Sequence, residues 1–310
     1  MSKNVLQRLV IALAGLLVLY GVIRLAGGRT AELPPGALEL AAELEGIDER
    51  TLESATFSGS DREIEVARVA GEWTVNGYEA DSAAVARMFT ALSEVEVGAL
   101  AAANPANHER LGVTGREAWM LEFRLLGGES RIVALGRVGS VFQTAYVRLP
   151  GSDEVYTVRG DLRGSFTRTL TDWRDKLIAR VDVAAIEAIE VERGGEVIVV
   201  EREEAGWTVA DSGAVPDSAA VANMLDEVDE LRAIGFVEEG DSEFPAEDVR
   251  RFVALNEGGD TLLALEMAPV DAEYWVRAAG NETLYRLAAF RATRIVPEPD
   301  RLLGREGAPN

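Results

Sequence analysis

Asp81–Ala86 reads DSAAVA, and Asp217–Ala222 reads DSAAVA again. Each hexapeptide follows a tryptophan in a similar run, GEWTV at Gly71–Val75 and AGWTV at Ala205–Val209. An identical hexapeptide in near register with a tryptophan marks an internal duplication. The register extends backwards. IDERTLESATF from Ile47 aligns with VDVAAIEAIEV from Val181, matching Asp48 with Asp182, Leu52 with Ile186 and Phe57 with Val191. It also extends forwards. AYVRLPGSDEVYTV from Ala145 aligns with YWVRAAGNETLYRL from Tyr274, pairing Arg148 with Arg277 and Tyr156 with Tyr285.

Apolar spacing assigns the elements. Val85, Met88, Phe89, Leu92 and Val95 share one helical face, as do Val221, Met224, Leu225, Val228 and Leu231. Asp81 and Asp217 stand before these helices as N-caps, where a carboxylate accepts orphan backbone N–H bonds. Period-two runs predict strands near 54–58, 63–69, 72–76, 117–126, 130–136, 144–149 and 153–158. The second set falls near 187–193, 196–203, 206–210, 250–256, 260–267, 273–278 and 283–287. Consecutive strands with few helices predict an α+β class, as two tandem copies of a mostly antiparallel sheet-plus-helix domain. The boundaries expected are a first repeat at 47–177 and a second at 178–297, joined through WRDKLIARVD at Trp173–Asp182. A linker at 31–46 and a disordered tail at 298–310 flank them.

Residues Leu9–Ile23 read LVIALAGLLVLYGVI, uncharged and bracketed by Arg8 and Arg24. That core spans about 22 Å as a helix, and the flanking apolar residues extend it to about 33 Å if the arginines snorkel. The preferred reading is a single membrane anchor with a short cytoplasmic tail within residues 1–30. A cleaved signal peptide stays open, since the following stretch is rich in small residues but carries Arg24 and Arg29. Positive charge is nearly balanced on the two sides, so orientation rests on the short N-terminal tail and the large acidic remainder. That remainder is expected on the extracytoplasmic, periplasmic side.

The chain has 310 residues, 47% of them apolar, and a formal net charge of −22. Such a charge disfavours nucleic-acid partners and adhesion to anionic surfaces. No cysteine is present, which removes disulfides and thiolate chemistry, and one histidine rules out a histidine-rich metal site. His108, in ANPANHERLG, reads as an exposed loop histidine, because no orienting partner or nucleophile converges on it. Trp73 and Trp207 read as core anchors. The acidic run EEGDSEFPAED at Glu238–Asp248 is oxygen-rich, but its spacing matches no EF-hand loop, and it reads as a solvated loop. No catalytic, cofactor or metal residue is assigned. The residues expected to meet a partner or ligand are Tyr78, Trp119, Tyr146, Arg148, Trp275 and Arg277.

These landmarks resemble, in their order, the bacterial domain-of-unknown-function 4340 family. The resemblance rests on the N-terminal anchor, the Trp-strand followed by an Asp-capped helix, a Leu-Gly-Val turn at Leu111–Val113, and the Leu135–Gly136 pair. The YVR hairpin at Tyr146 and the WRDK stretch at Trp173 complete it. The second copy departs from the pattern by lacking both the Leu-Gly-Val turn and the Leu-Gly pair. The resemblance implies an accessory protein of an ABC-type transport or gliding-motility-like system, non-enzymatic, with a membrane-complex partner such as a transporter permease. An extracytoplasmic glycan- or peptide-binding module is the alternative. An acid-pair hydrolase comes third and would need two carboxylates facing across a concave site.

Overall fold

A computed structural model describes residues 33–238 and 243–305. The expected membrane helix within residues 1–30 therefore lies outside the described residues, as do the end of the expected tail and the middle of the acidic run. Among the described residues, no helix is long and apolar enough to cross a membrane.

In chain order the first elements are α1 (Pro35–Leu44), β1 (Leu52–Ser58), β2 (Glu63–Val69), β3 (Glu72–Val75), β4 (Tyr78–Glu79) and α2 (Ser82–Ser93). There follow β5 (Glu96–Ala102), α3 (His108–Leu111), β6 (Trp119–Leu125), β7 (Ser130–Val138), β8 (Thr144–Arg148) and β9 (Val155–Arg159). Helices α4 (Leu162–Phe166) and α5 (Leu170–Trp173) come next, then β10 (Leu177–Arg180), β11 (Ala188–Arg193), β12 (Glu196–Glu203) and β13 (Gly206–Val209). The last are α6 (Ser218–Asp229), β14 (Glu230–Arg232), β15 (Gly235–Phe236), β16 (Arg250–Leu255), β17 (Thr261–Val270), β18 (Glu273–Ala278), β19 (Tyr285–Ala288), α7 (Ala289–Ile295) and α8 (Pro299–Leu302).

The class is α+β with mostly antiparallel sheets. One sheet has the order β4-β3-β2-β1-β6-β7-β8-β9-β5, and another the order β13-β12-β11-β16-β17-β18-β19-β15. Apart from β4, the two orders correspond strand for strand. By internal contacts the chain forms two compact units, and neither is continuous in sequence. Unit 1 holds the described residues of Met1–Arg68 with Ala86–Arg168, and unit 2 those of Val69–Val85 with Thr169–Asn310.

In unit 1, Phe57, Phe123 and Phe166 are fully buried and meet edge to face, with ring centroids 4.8–6.3 Å apart. Helix α1 stands where a linker was expected. Proline sits in its first turn, and Ala37, Leu40 and Leu44 fall on one face and are fully buried. The core of unit 2 gathers Ile189, Met224, Val228, Phe252, Met267, Val276, Leu287 and Ile295. Leu302 of α8 is also fully buried there, so the expected tail begins as structure. Glu227 of α6 is buried and clasps α7, accepting bonds from Arg291 (2.5 Å) and Arg294 (2.9 Å).

The two DSAAVA motifs do the same job by the same geometry. Asp81 accepts a bond from the Ala84 N–H at 2.8 Å, and Asp217 from the Ala220 N–H at 2.7 Å. The backbone N–H of Asp81 donates to the carbonyl of Trp173, and that of Asp217 to the carbonyl of Leu302. In both places a capped helix start is tied to the end of a short helix whose last residue is fully buried. Trp73 and Trp207, expected as core anchors, are only half-buried. The fully buried tryptophan is Trp173.

Candidate functional site

The two edges beyond β9 and β19 differ, and the difference makes the site. In unit 1, β5 pairs along β9 from Glu96↔Arg159 to Ala102↔Val155. The chain then crosses the edge as α3 and the Leu-Gly-Val turn. Leu111 and Val113 are buried with Ala102 and Val155, and Tyr146 packs against them. Gly112 takes φ +70, and a Cβ there would lie 2.7 Å from Arg137 Cγ. A Cβ on Gly136 would lie 2.5 Å from the Leu111 carbonyl oxygen. The Leu-Gly-Val turn and the Leu-Gly pair are thus two halves of one close contact, and each glycine lets the other backbone approach. His108 is buried, not exposed as the loop reading had it. Its Nε2–H donates to the Asp153 carbonyl at 2.9 Å, which ties α3 to the β8–β9 turn.

In unit 2 the matching edge is short. β15 pairs with β19 only at Gly235↔Arg286 and Phe236↔Tyr285. The residues just before it form β14, which pairs with β10 instead. Aligned strand by strand, Ala102, Tyr146 and Val155 of unit 1 correspond to Glu238, Trp275 and Leu284. Those three line an open groove rather than a packed cluster. One part, about 660 Å³, is lined by Tyr78, Leu170, Thr171, Arg174, Phe236, Val237, Glu238, Glu282, Thr283 and Leu284. An adjoining part of about 380 Å³ shares Phe236, Val237 and Glu238 and adds Val270, Asp271, Ala272, Glu273, Trp275 and Arg286.

Arg174 and the Glu273–Arg286 pair are held in place in the groove. The Arg174 guanidinium is sandwiched between the rings of Tyr78 (3.6 Å to the centroid) and Phe236 (3.5 Å). Behind it, Arg232 bridges Asp81 (3.1 Å) and Asp175 (2.8 Å). Glu273 accepts two bonds from Arg286, at 2.6 and 2.9 Å. These bonds hold the Glu273 carboxyl below its ordinary range and raise the Arg286 guanidinium. The groove is therefore a mixed polar and apolar trough, with aromatic faces and charges of both signs.

The structure divides the six residues singled out from sequence. Tyr78 and Trp275 line the groove. Arg277 belongs to unit 2 but turns away, paired with Glu266 and lying over the Phe244 ring at 4.4 Å. Burial pushes Glu266 up, yet hydrogen bonds from Arg251 and Arg277 prevail and hold it low. In unit 1, Trp119 is buried, and a Cβ on Gly59 would lie 2.9 Å from its ring. Tyr146 sits beneath the Leu-Gly-Val turn, and Arg148 Nη1 braces the β8–β9 turn through the carbonyls of Leu149 and Ser152. Sequence reasoning missed Arg174 and Phe236. Arg174 lies within the quoted WRDK stretch, but nothing local signals that two aromatic rings from distant elements will stack on it. Among the described residues, no group of three or more His, Asp or Glu side chains could hold a metal ion.

The chain matches the family described as Domain of unknown function (DUF4340) over residues 73–249, more than half its length. It belongs to that family. No curated protein matches the chain, and no solved structure does.

Proposed function

We propose that this protein is a non-enzymatic accessory subunit of an ABC-type transport or envelope complex. Its N-terminal helix within residues 1–30 anchors it in the cytoplasmic membrane, and its folded part faces the extracytoplasmic side. The folded part is a tandem duplication, with copies at 47–177 and 178–297. The first copy closes its sheet edge with its own chain, and the groove of unit 2, at the open sheet edge of the second copy, receives a segment of a membrane-complex subunit such as a permease.

One observation carries this reading. The seat that Leu111 and Val113 fill in unit 1 corresponds to the groove lined by Trp275, Leu284 and Glu238 in unit 2. A surface built to receive two apolar side chains from its own chain is suited, in its open copy, to receive them from another. The uncharged run Leu9–Ile23 supports the anchor. A second reading, an extracytoplasmic glycan- or peptide-binding module, draws on Tyr78, Phe236 and Trp275 as stacking faces in the same groove.

The test is purification of the tagged full-length chain from its own membranes in mild detergent, with mass spectrometry of what accompanies it. A transporter permease or ATPase should co-purify with the parent chain and be lost from Trp275→Glu, which puts a charge into the trough. Recovery of no partner, or equal recovery with Trp275→Glu, overturns the reading. Glycan retention by the parent chain without a protein partner favours the second.

A further inference from the structure

We propose that the β7–β8 hairpin tip of unit 1 dips into the lipid bilayer that holds the N-terminal segment. Val138, Val141 and Phe142 are exposed within five residues, and Phe142 is 84% exposed. Scattered single apolar residues on a surface are ordinary, but three on one short tip are not. The tip is also shaped rather than loose. The Gly139 N–H donates to the Thr144 carbonyl at 2.7 Å, and the Thr144 N–H and hydroxyl both donate to the Val141 carbonyl. Gln143 takes φ +54, and its carbonyl accepts from the Gly160 N–H. The hairpin therefore presents its apolar side chains on a braced turn.

Charge says which surface it fits. The chain carries 53 acidic residues, yet there is none from Ser130 to Ser152. Residues Val138–Val147 bear no charge of either sign. At the base of the tip, Arg137 is paired with Glu117 and Arg159 with Glu96, so the flanks are balanced. A bilayer surface that repels the rest of this acidic chain meets no net repulsion here, and burying the tip strips water from no charged group. Phenylalanine is among the side chains that interfacial segments bury at the headgroup–acyl boundary.

Tethering supplies the proximity, and this inference rests on the anchor reading. The apolar N-terminal stretch ends near Ala26, and unit 1 begins at α1. The intervening chain spans at most about 30 Å when fully extended. Unit 1 is thus confined to a thin layer above the membrane, where a weak interfacial contact is populated by effective concentration.

The chain has no cysteine, so Ser140→Cys gives a single labelling site that leaves the three apolar residues intact. The full-length variant, labelled with an environment-sensitive fluorophore, is reconstituted into phosphatidylcholine vesicles with and without doxyl-labelled lipid. Co-flotation with the vesicles is measured in the same sample. The expected result is co-flotation with a blue-shifted emission quenched by the doxyl lipid, both lost when Val141→Ser and Phe142→Ser are added. Co-flotation with an emission that reports water overturns the tip insertion and leaves the anchor standing. Failure to co-float overturns the anchor, and the insertion falls with it.

Discussion

The edge of unit 1 and the edge of unit 2 use the same strand order and reach opposite ends. In unit 1, β5 runs the length of β9, and the chain folds back over it to bury Leu111 and Val113 beside Tyr146 and Val155. In unit 2, the corresponding strand is broken into β14 and β15, and Trp275 and Leu284 line a groove. The substitutions follow the change. Ala102, which must fit beneath the turn in unit 1, corresponds to Glu238, which faces open space in unit 2. Thr144 and Thr157, whose hydroxyls donate to the carbonyls of Val141 and Ala99, correspond to Glu273 and Arg286, which pair with each other. The two sheets thus share a strand order and differ at this edge.

The shared ties should give the largest effects. Trp173→Ala and Leu302→Ala keep the carbonyls but remove the buried side chains that fix them beneath the two capped helices, at about 3–5 and 2–5 kcal/mol. Denaturant midpoints of the two variants compare the ties directly. A loss at Trp173 well below that at Leu302 would break the equivalence. The closed edge comes next. Gly136→Ala forces a methyl against the Leu111 carbonyl and should cost about 1–3 kcal/mol. His108→Ala should cost a similar amount by removing a buried imidazole and its bond to the Asp153 carbonyl. Proteolysis should detect both as loosening near residues 104–118, with partner recovery through Trp275 unchanged.

The caps are smaller. Asp81→Ala and Asp217→Ala should each cost about 1 kcal/mol, with Asp81 the larger because it also meets Arg232. Equal losses would mean that the half-exposed Arg232 bridge contributes nothing measurable. The smallest effect is pH-dependent and confined to unit 2. Arg286 lowers the folded-state pKa of Glu273, so its contribution is fully present above the unfolded-state pKa. It fades as pH falls through the lowered value. The pair is partly exposed, so the size should stay below about 1 kcal/mol. Glu273→Gln should flatten that part of an acid titration below about pH 5, and an unchanged titration would deny the pair any role.

Much of this was legible in residues. Strands β2, β12 and β18 have the bounds that their alternation predicts, and the DSAAVA motifs cap as aspartates should. What was illegible depended on partners distant in sequence. β5 reads EVGALAA, too small and irregular for a period-two signal, and β15 is two residues held by β19. The run AELPPGALELAAEL looked like a linker because its prolines come first. Yet Ala37, Leu40 and Leu44 repeat at helical spacing, and α1 packs on unit 1. Tyr78 and Trp275 were named from sequence as aromatic residues that a partner or ligand could meet. The groove itself was not, since it exists only because β15 stops where β5 continues.

The most direct test is a photo-crosslinking residue put at Trp275 in the groove and, as control, at exposed Leu126 on the β6–β7 turn. Both full-length chains are irradiated in their own membranes. The account predicts an adduct with a membrane-complex subunit from position 275 and none from 126. No adduct from 275, or the same adduct from both positions, would contradict it.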